Sequence, residues 1–183
     1  MNFEFDYSGK TVLVTGGTSG IGAATSVAFR QAGAQVVACG LTDEELAAAR
    51  ANPDFAGIDV RALDVSDKAA VDALVGGLES LDVVVNSAGM IMRDAEHDPE
   101  VFDKVIDVNV SGGMRVSAAA RPLLAKSKGS IVFIASVMSV FGGPRQPAYS
   151  SSKGAIRNLT MSLACAYAAD GIRVNAVAPG WIV

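Results

Sequence analysis

The sequence is poor in the residues that build metal centres and disulfides: it has one histidine and two cysteines in 183 residues. His97 stands before Asp98, Pro99 and Glu100, a helix-start pattern, and is read neither as a metal ligand nor as a triad base. Proton transfer is therefore assigned to another residue type, and no metal is expected. Cys39 and Cys165 fall in an apolar strand pattern and an apolar helix pattern with no CxxC or Cys/His spacing, so both are read as buried free thiols. A Lys/Arg-rich run is also missing, and the net charge is -4, which argues against nucleic acid or an anionic membrane as the main partner. No apolar run approaches the roughly 18 residues needed to span a bilayer, and the acidic start "MNFEFDYSGK" has no signal-peptide core. A soluble, cytoplasmic protein acting on small molecules is expected. What the chain does have is ordinary globular composition, 50% hydrophobic and 19% charged residues, in a length suited to one domain over 1–183.

Six short β-rich apolar runs alternate with Ala-rich helical segments. The runs are "TVLVT" from Thr11, "AQVVAC" from Ala34, "VRAL" from Val60, "LDVVVN" from Leu81, "SIVFIAS" from Ser130 and "IRVNAVAP" from Ile172. Helical spacing covers residues 21–32, 43–51, 67–78, 99–126 and 148–169, with Pro122 as a candidate kink. Apolar strands joined by helices predict an α/β fold, a doubly wound parallel sheet with right-handed crossovers.

The first strand runs directly into "TGGTSGIG", so Gly16, Gly20 and Gly22 stand between a strand and a helix. Glycines there let the backbone turn sharply and approach a pyrophosphate, which the free N–H groups of the helix start attract. The spacing Thr15-Gly16, three residues, Gly20-Ile21-Gly22 resembles the short-chain dehydrogenase/reductase family. So do "NSAG" at 86–89, with Ser87 in place of the family's second Asn, "LDV" at 63–65, "VNVSG" at 108–112 and "APG" at 178–180. The resemblance runs along essentially the whole chain and implies a Rossmann fold and a nicotinamide dinucleotide. It implies cofactor contacts at Gly16, Thr18, Ser19, Gly20, Ile21, Gly22, Gly40, Leu41, Asp64, Val65, Asn86, Ala88, Gly89, Pro179, Gly180 and Ile182, besides Tyr149 and Lys153. Asp64 is the implied acceptor for the adenine amino group.

The choice of dinucleotide depends on the end of strand two, "ACGLTDEEL". The family pattern places an acid at Gly40 for NAD or an arginine at Leu41 for NADP, and neither is present. Asp43 is a candidate ribose acid, but Thr42 with Glu45 reads as a capping box for the next helix, so Asp43 is given a structural role. Ser19 stands at the other usual place for a cation. A 2′-phosphate would lack a guanidinium or ammonium partner, so the reading leans to NAD, with NADP left open.

"AYSSSKGAI" puts Tyr149 and Lys153 at i and i+4, on one helix face. With Asn109 and Ser136 they match the family's catalytic tetrad. An unassisted phenol has a pKa near ~10 and is a poor base at neutral pH, and a neighbouring ammonium favours the phenolate. The resemblance therefore implies Tyr149 as general acid/base, Lys153 as its charge partner and ribose contact, Ser136 as donor to the reacting oxygen, and Asn109 as support. Ser150, Ser151 and Ser152 are read as spacers. The substrate is expected to be a secondary alcohol or ketone, sugars and polyols included, against Ser136, Met138, Gln146 and Tyr149. Apolar residues after strands four and five, Ile91, Met92, Val137, Met138 and Phe141, are expected near it, and Trp181 either borders the pocket or packs.

The chain stops at "PGWIV", where family members continue through a substrate loop, a helix and a seventh strand. An incomplete chain is therefore expected, with six strands present and the last helix and strand missing. Self-association as a homodimer or homotetramer through residues 100–126 and 148–169 is implied by the family. A scaffold that binds the nucleotide without turnover stays open as the alternative to an enzyme.

Overall fold

The computed structural model describes residues 5–181. Six strands form one parallel sheet: β1 (Thr11–Thr15), β2 (Gln35–Gly40), β3 (Asp59–Ala62), β4 (Val83–Asn86), β5 (Ser130–Ile134) and β6 (Arg173–Val177). Their order is β3-β2-β1-β4-β5-β6, so the winding reverses between β1 and β4. In doubly wound sheets that reversal opens a crevice beyond the carboxyl ends of the strands. Helices α1 (Gly20–Gln31), α2 (Asp43–Ala51), α3 (Lys68–Gly76), α4 (Pro99–Ile106), α5 (Gly113–Ser127) and α6 (Pro147–Tyr167) make the crossovers.

The central strands are apolar on both faces because both faces are covered. Leu13, Val37, Val84 and Ile131 point into a core closed by Val71 and Val75 of α3, Val116, Ala120 and Leu124 of α5, and Ile156 and Leu163 of α6. Val12, Val14, Val36, Val83 and Val85 pack on the opposite face against Phe29 of α1. Each such fully buried side chain contributes about 1.5–3 kcal/mol of transfer free energy, which is what fixes strand register.

Two local expectations change. The helical segment 99–126 is interrupted, not at Pro122, which lies inside α5, but by a π-helical stretch at Asp107–Gly112. The extra backbone width there seats Asn109, which is buried. Cys39 is buried as expected, and burial pushes its thiol up to about 12, whereas Cys165 is exposed on the outer face of α6. The apolar spacing around Cys165 marked the helix but misplaced the residue by part of a turn. Among the described residues no helix is long and apolar enough to cross a membrane, and no cluster of potential ligands could hold a metal ion.

Candidate active site

A cleft of about 700 Å³ opens along the carboxyl ends of β1, β2, β4 and β5. Its floor is the turn between β1 and α1. Gly16 has φ +60°, in the left-handed region, and a Cβ there would stand 2.8 Å from the Ala88 backbone. Any Cβ on Gly22 would collide with the Gly16 carbonyl. These two positions therefore admit only glycine without rearrangement. Gly17 N–H donates to the Cys39 carbonyl at 2.8 Å, tying the turn to the end of β2.

The turn is built to receive an anion. Ser19, the N-cap of α1, gives no side-chain cap, and the first turn of the helix carries no acid. The Thr18 Oγ1 atom is buried without a partner among the described residues. Unsatisfied donors and a bare helix start facing an open cleft are what a pyrophosphate would complete. The residues present thus fit a dinucleotide: Gly16, Thr18, Ser19, Ile21, Gly22, Gly40, Leu41, Asp64, Val65, Ala88, Gly89, Tyr149 and Lys153 all line the cleft. Gly20, with φ +52°, sits at the same helix start.

Other expected contacts are less direct. Asn86 is buried, donating from Nδ2 to Ser117 Oγ at 3.2 Å while its Oδ1 finds no partner among the described residues. The Pro179 carbonyl accepts from Val137 N–H at 3.0 Å, and Gly180 lies exposed beyond it. Ile182 lies outside the described residues.

At the adenosine end, the structure explains why Gly40 is not an acid. A Cβ at Gly40 would overlap the Thr18 side chain, so no larger residue fits. Glu45 lines the cleft instead, accepting Leu41 N–H at 3.0 Å, and it also completes the capping box with Thr42. Sequence reasoning saw only the cap; a capping glutamate that also faces the cleft leaves no separate signal. Asp43 is exposed in the first turn of α2 and is not among the residues lining the cleft. Asp64 holds Ser66 N–H and Oγ on one oxygen, at 2.8 and 2.7 Å, and those bonds hold its carboxyl below the usual range.

At the other end stand Tyr149 and Lys153, one turn apart on α6. Lys153 Nζ lies 5.4 Å from the Tyr149 ring centroid and donates to the Ile134 carbonyl at 2.6 Å. It is only 7% exposed, and burial pulls its ammonium down to about 8. Asn109 accepts Met90 N–H at 2.7 Å and donates to the Met90 carbonyl at 2.9 Å and to Ser152 Oγ at 3.0 Å. A Cβ at Gly89 would stand 3.3 Å from Asn109 Oδ1 and 3.9 Å from Lys153 Nζ, so the bare glycine brings these two groups to one spot.

Ser136 stands two residues beyond β5, capping the short turn Val137–Ser139, and is buried; its Oγ accepts Met138 N–H at 3.2 Å, which leaves its own O–H to donate. Ser136, Met138 and Gln146 are not among the residues lining the cleft, and Gln146 Oε1 accepts from Arg93 Nε at 3.2 Å. Met90 and Ile91 do line it. Phe141 and Trp181 are exposed.

The serines of the helix are more than spacers. Ser150 Oγ accepts Gly143 N–H at 3.2 Å, and the fully buried Ser152 donates to the Tyr149 carbonyl at 2.7 Å. A third residue outside the expected set, the buried Glu96, accepts Tyr149 N–H at 2.8 Å.

Strand order, glycine turn and cleft together define a Rossmann-type dinucleotide fold. Comparison with known proteins makes the class specific: the family model "short chain dehydrogenase" matches residues 10–183. The chain belongs to the short-chain dehydrogenase/reductase family, oxidoreductases that use NAD or NADP. It is 35% identical to a 2-dehydro-3-deoxy-D-gluconate 5-dehydrogenase of Pseudoalteromonas atlantica, covering 98% of this chain and 74% of that protein. It is 39% identical to a 3-oxoacyl-(acyl-carrier-protein) reductase of Thermotoga maritima, over 95% and 74% of the two chains. A crystal structure from Sinorhizobium meliloti, assigned as a short-chain alcohol dehydrogenase, superposes with a TM-score of 0.86 at 36% identity, over 98% and 75%.

Proposed function

We propose that this protein interconverts a secondary alcohol and a ketone, with Tyr149 as the general acid/base. The observation that carries this reading is the pairing of Tyr149 with a buried lysine at the open end of the dinucleotide cleft. The nicotinamide accepts or gives the hydride when bound; the chain's residues handle the proton. In oxidation Tyr149 Oη takes the hydroxyl proton, and in reduction it returns one to the carbonyl oxygen. Lys153 opposes the negative charge on the phenolate. Ser136 O–H donates to the substrate oxygen as charge develops there, and Asn109, bonded to both main-chain groups of Met90, holds the wall of the site.

The dinucleotide is NAD. Glu45 puts a carboxylate at the end of β2 beside Leu41, and the lysines that line the cleft, Lys104 and Lys153, belong to its other walls. A 2′-phosphate brought to that end would meet an anion without a cation to offset it. Sugar-derived alcohols fit best with relatives named glucose 1-dehydrogenase and L-fucose dehydrogenase, 39% and 37% identical. Steady-state assays with NADH and NADPH against keto-sugar acids, 3-oxoacyl thioesters and cyclic ketones, and with NAD against sugars, check the reading. The expected result is turnover with at least tenfold higher kcat/KM for NADH; cofactor binding with no turnover on any member would favour a scaffold.

We also propose a homodimer or homotetramer, supported by Met114 of α5 and Met161 of α6, large apolar side chains exposed on the two long helices. Sedimentation equilibrium is expected to give a multiple of 18.7 kDa, and a strictly monomeric profile would overturn this.

A further inference from the structure

Glu96 sits at 1% exposure in a short helical turn, Ala95–His97, and no lysine or arginine among the described residues pairs with it. A carboxylate taken out of water needs compensation, and here it comes from two main-chain donors. Oε1 accepts Met92 N–H at 2.7 Å and Oε2 accepts Tyr149 N–H at 2.8 Å. The second bond falls on one of the first N–H groups of α6, which have no partner within their own helix. That helix lacks the usual provisions: its N-cap Gln146 gives no side-chain cap, Pro147 follows, and its first turn carries no acid. Glu96, more than fifty residues earlier, thus supplies the cap and the negative charge that a helix start favours.

The other end of the Tyr149 main chain is tied as well. Its carbonyl accepts from Ser152 Oγ, which accepts from Asn109 Nδ2, and Asn109 grips Met90. Both ties therefore lead from Tyr149 to the segment after β4, one to Met90 within the cleft wall 87–91 and one to Met92 directly beyond it. Neighbouring contacts close the seam between the two loops. Asp94 N–H donates to the Arg145 carbonyl at 2.8 Å, Arg145 pairs with Asp94, and His97 Nε2 lies 3.0 Å from the Pro144 carbonyl. With anchors on both its N–H and its carbonyl, the Tyr149 main chain, from which the phenol projects, cannot move relative to that wall unless one of them breaks.

We infer that Glu96 is a positioning residue for the reaction, holding Tyr149 in register with the cofactor wall through the Tyr149 main-chain N–H. The inference rests on the reading of Tyr149 as acid/base. Both partners are donors, so the place takes an acceptor at each oxygen; glutamine offers one and sets its NH₂ against the other N–H. Misplacement of a reacting group by about an ångström can cost around a hundredfold in rate.

Glu96→Gln and Glu96→Met, in the full chain, test this by residue-resolved amide exchange, NADH titration and steady-state kinetics. Expected for Glu96→Gln is at least tenfold faster exchange of the Tyr149 amide, with Leu13 and Val84 amides unchanged. NADH affinity stays within twofold, and kcat falls by about 10- to 100-fold at saturating NADH, with Glu96→Met lower again. Unchanged Tyr149 exchange overturns the inference, as does exchange that rises equally in the core strands, or local loosening with kcat intact. A wild-type chain that turns over nothing would instead strike the acid/base reading, while the exchange measurement would still decide whether Glu96 anchors the helix.

Discussion

Tyr149→Phe is expected to cut turnover by about a thousandfold while NADH binds within twofold of wild type. The substitution removes one oxygen and little else. Tyr149 is held by its main chain, N–H to Glu96 and carbonyl to Ser152, and both bonds survive in phenylalanine. The ring stays beside Lys153 Nζ, so packing and the cation contact also persist. What is lost is the group proposed to carry the proton to and from the substrate oxygen. General acid/base transfer contributes about 10²–10⁴ in rate, and a thousandfold loss corresponds to about 4 kcal/mol of barrier. Steady-state assays with the best substrate of the panel, alongside fluorescence titration of NADH, check both halves. Turnover within tenfold of wild type would remove Tyr149 from the reaction; weakened NADH binding would make it a cofactor contact first.

The parts of this protein that the sequence revealed are those whose cause is local. β1 is legible because Thr11–Thr15 is apolar on both faces, and the strand is buried on both faces for that reason. The α2 start is legible because Thr42 and Glu45 satisfy each other's backbone groups within one turn. Gly16 and Gly22 are legible because a tight turn between strand and helix excludes side chains. Glu96 is different: its partners Met92 and Tyr149 come together only when the loops after β4 and β5 meet, so "RDAEHDPE" shows a helix start at its end and no sign of a part for Glu96. Ser152 likewise acquires its part from Asn109, which reaches it out of a π-helical stretch that no periodicity announces. The cleft's contents follow the same division, since Glu45 reads as a cap in one dimension and lines the nucleotide end in three.

Lys153→Met is expected to raise stability and abolish useful turnover at once. Burial has pulled the Lys153 ammonium from 10.5 to about 8, so near pH 7 the native state carries a charge it disfavours by about 3 kcal/mol relative to the unfolded chain. Methionine has nearly the same shape and no charge. Its cost is the lost bond to the Ile134 carbonyl, at about 1 kcal/mol, which leaves a net gain of about 2 kcal/mol. For a chain of this size that is a rise of about 4–8 °C in Tm. The pH dependence identifies the cause. Between pH 8 and 10.5 the unfolded chain keeps a proton that the native protein has shed, so wild-type stability rises across that window through this group, and the advantage of Lys153→Met closes by pH 10.5. Urea unfolding of both proteins at pH 7 and pH 10 checks this, with the difference between them isolating Lys153 from every other titrating group. A Lys153→Met protein no more stable than wild type at pH 7 would mean that the ammonium is adequately compensated by the Ile134 carbonyl. If the gain is found, kcat should fall by about a thousandfold in the same variant, because the charge that destabilises the fold is the one opposing the Tyr149 phenolate. The site then keeps a misfit ammonium for its chemistry, at a position where the fold alone would favour an apolar side chain.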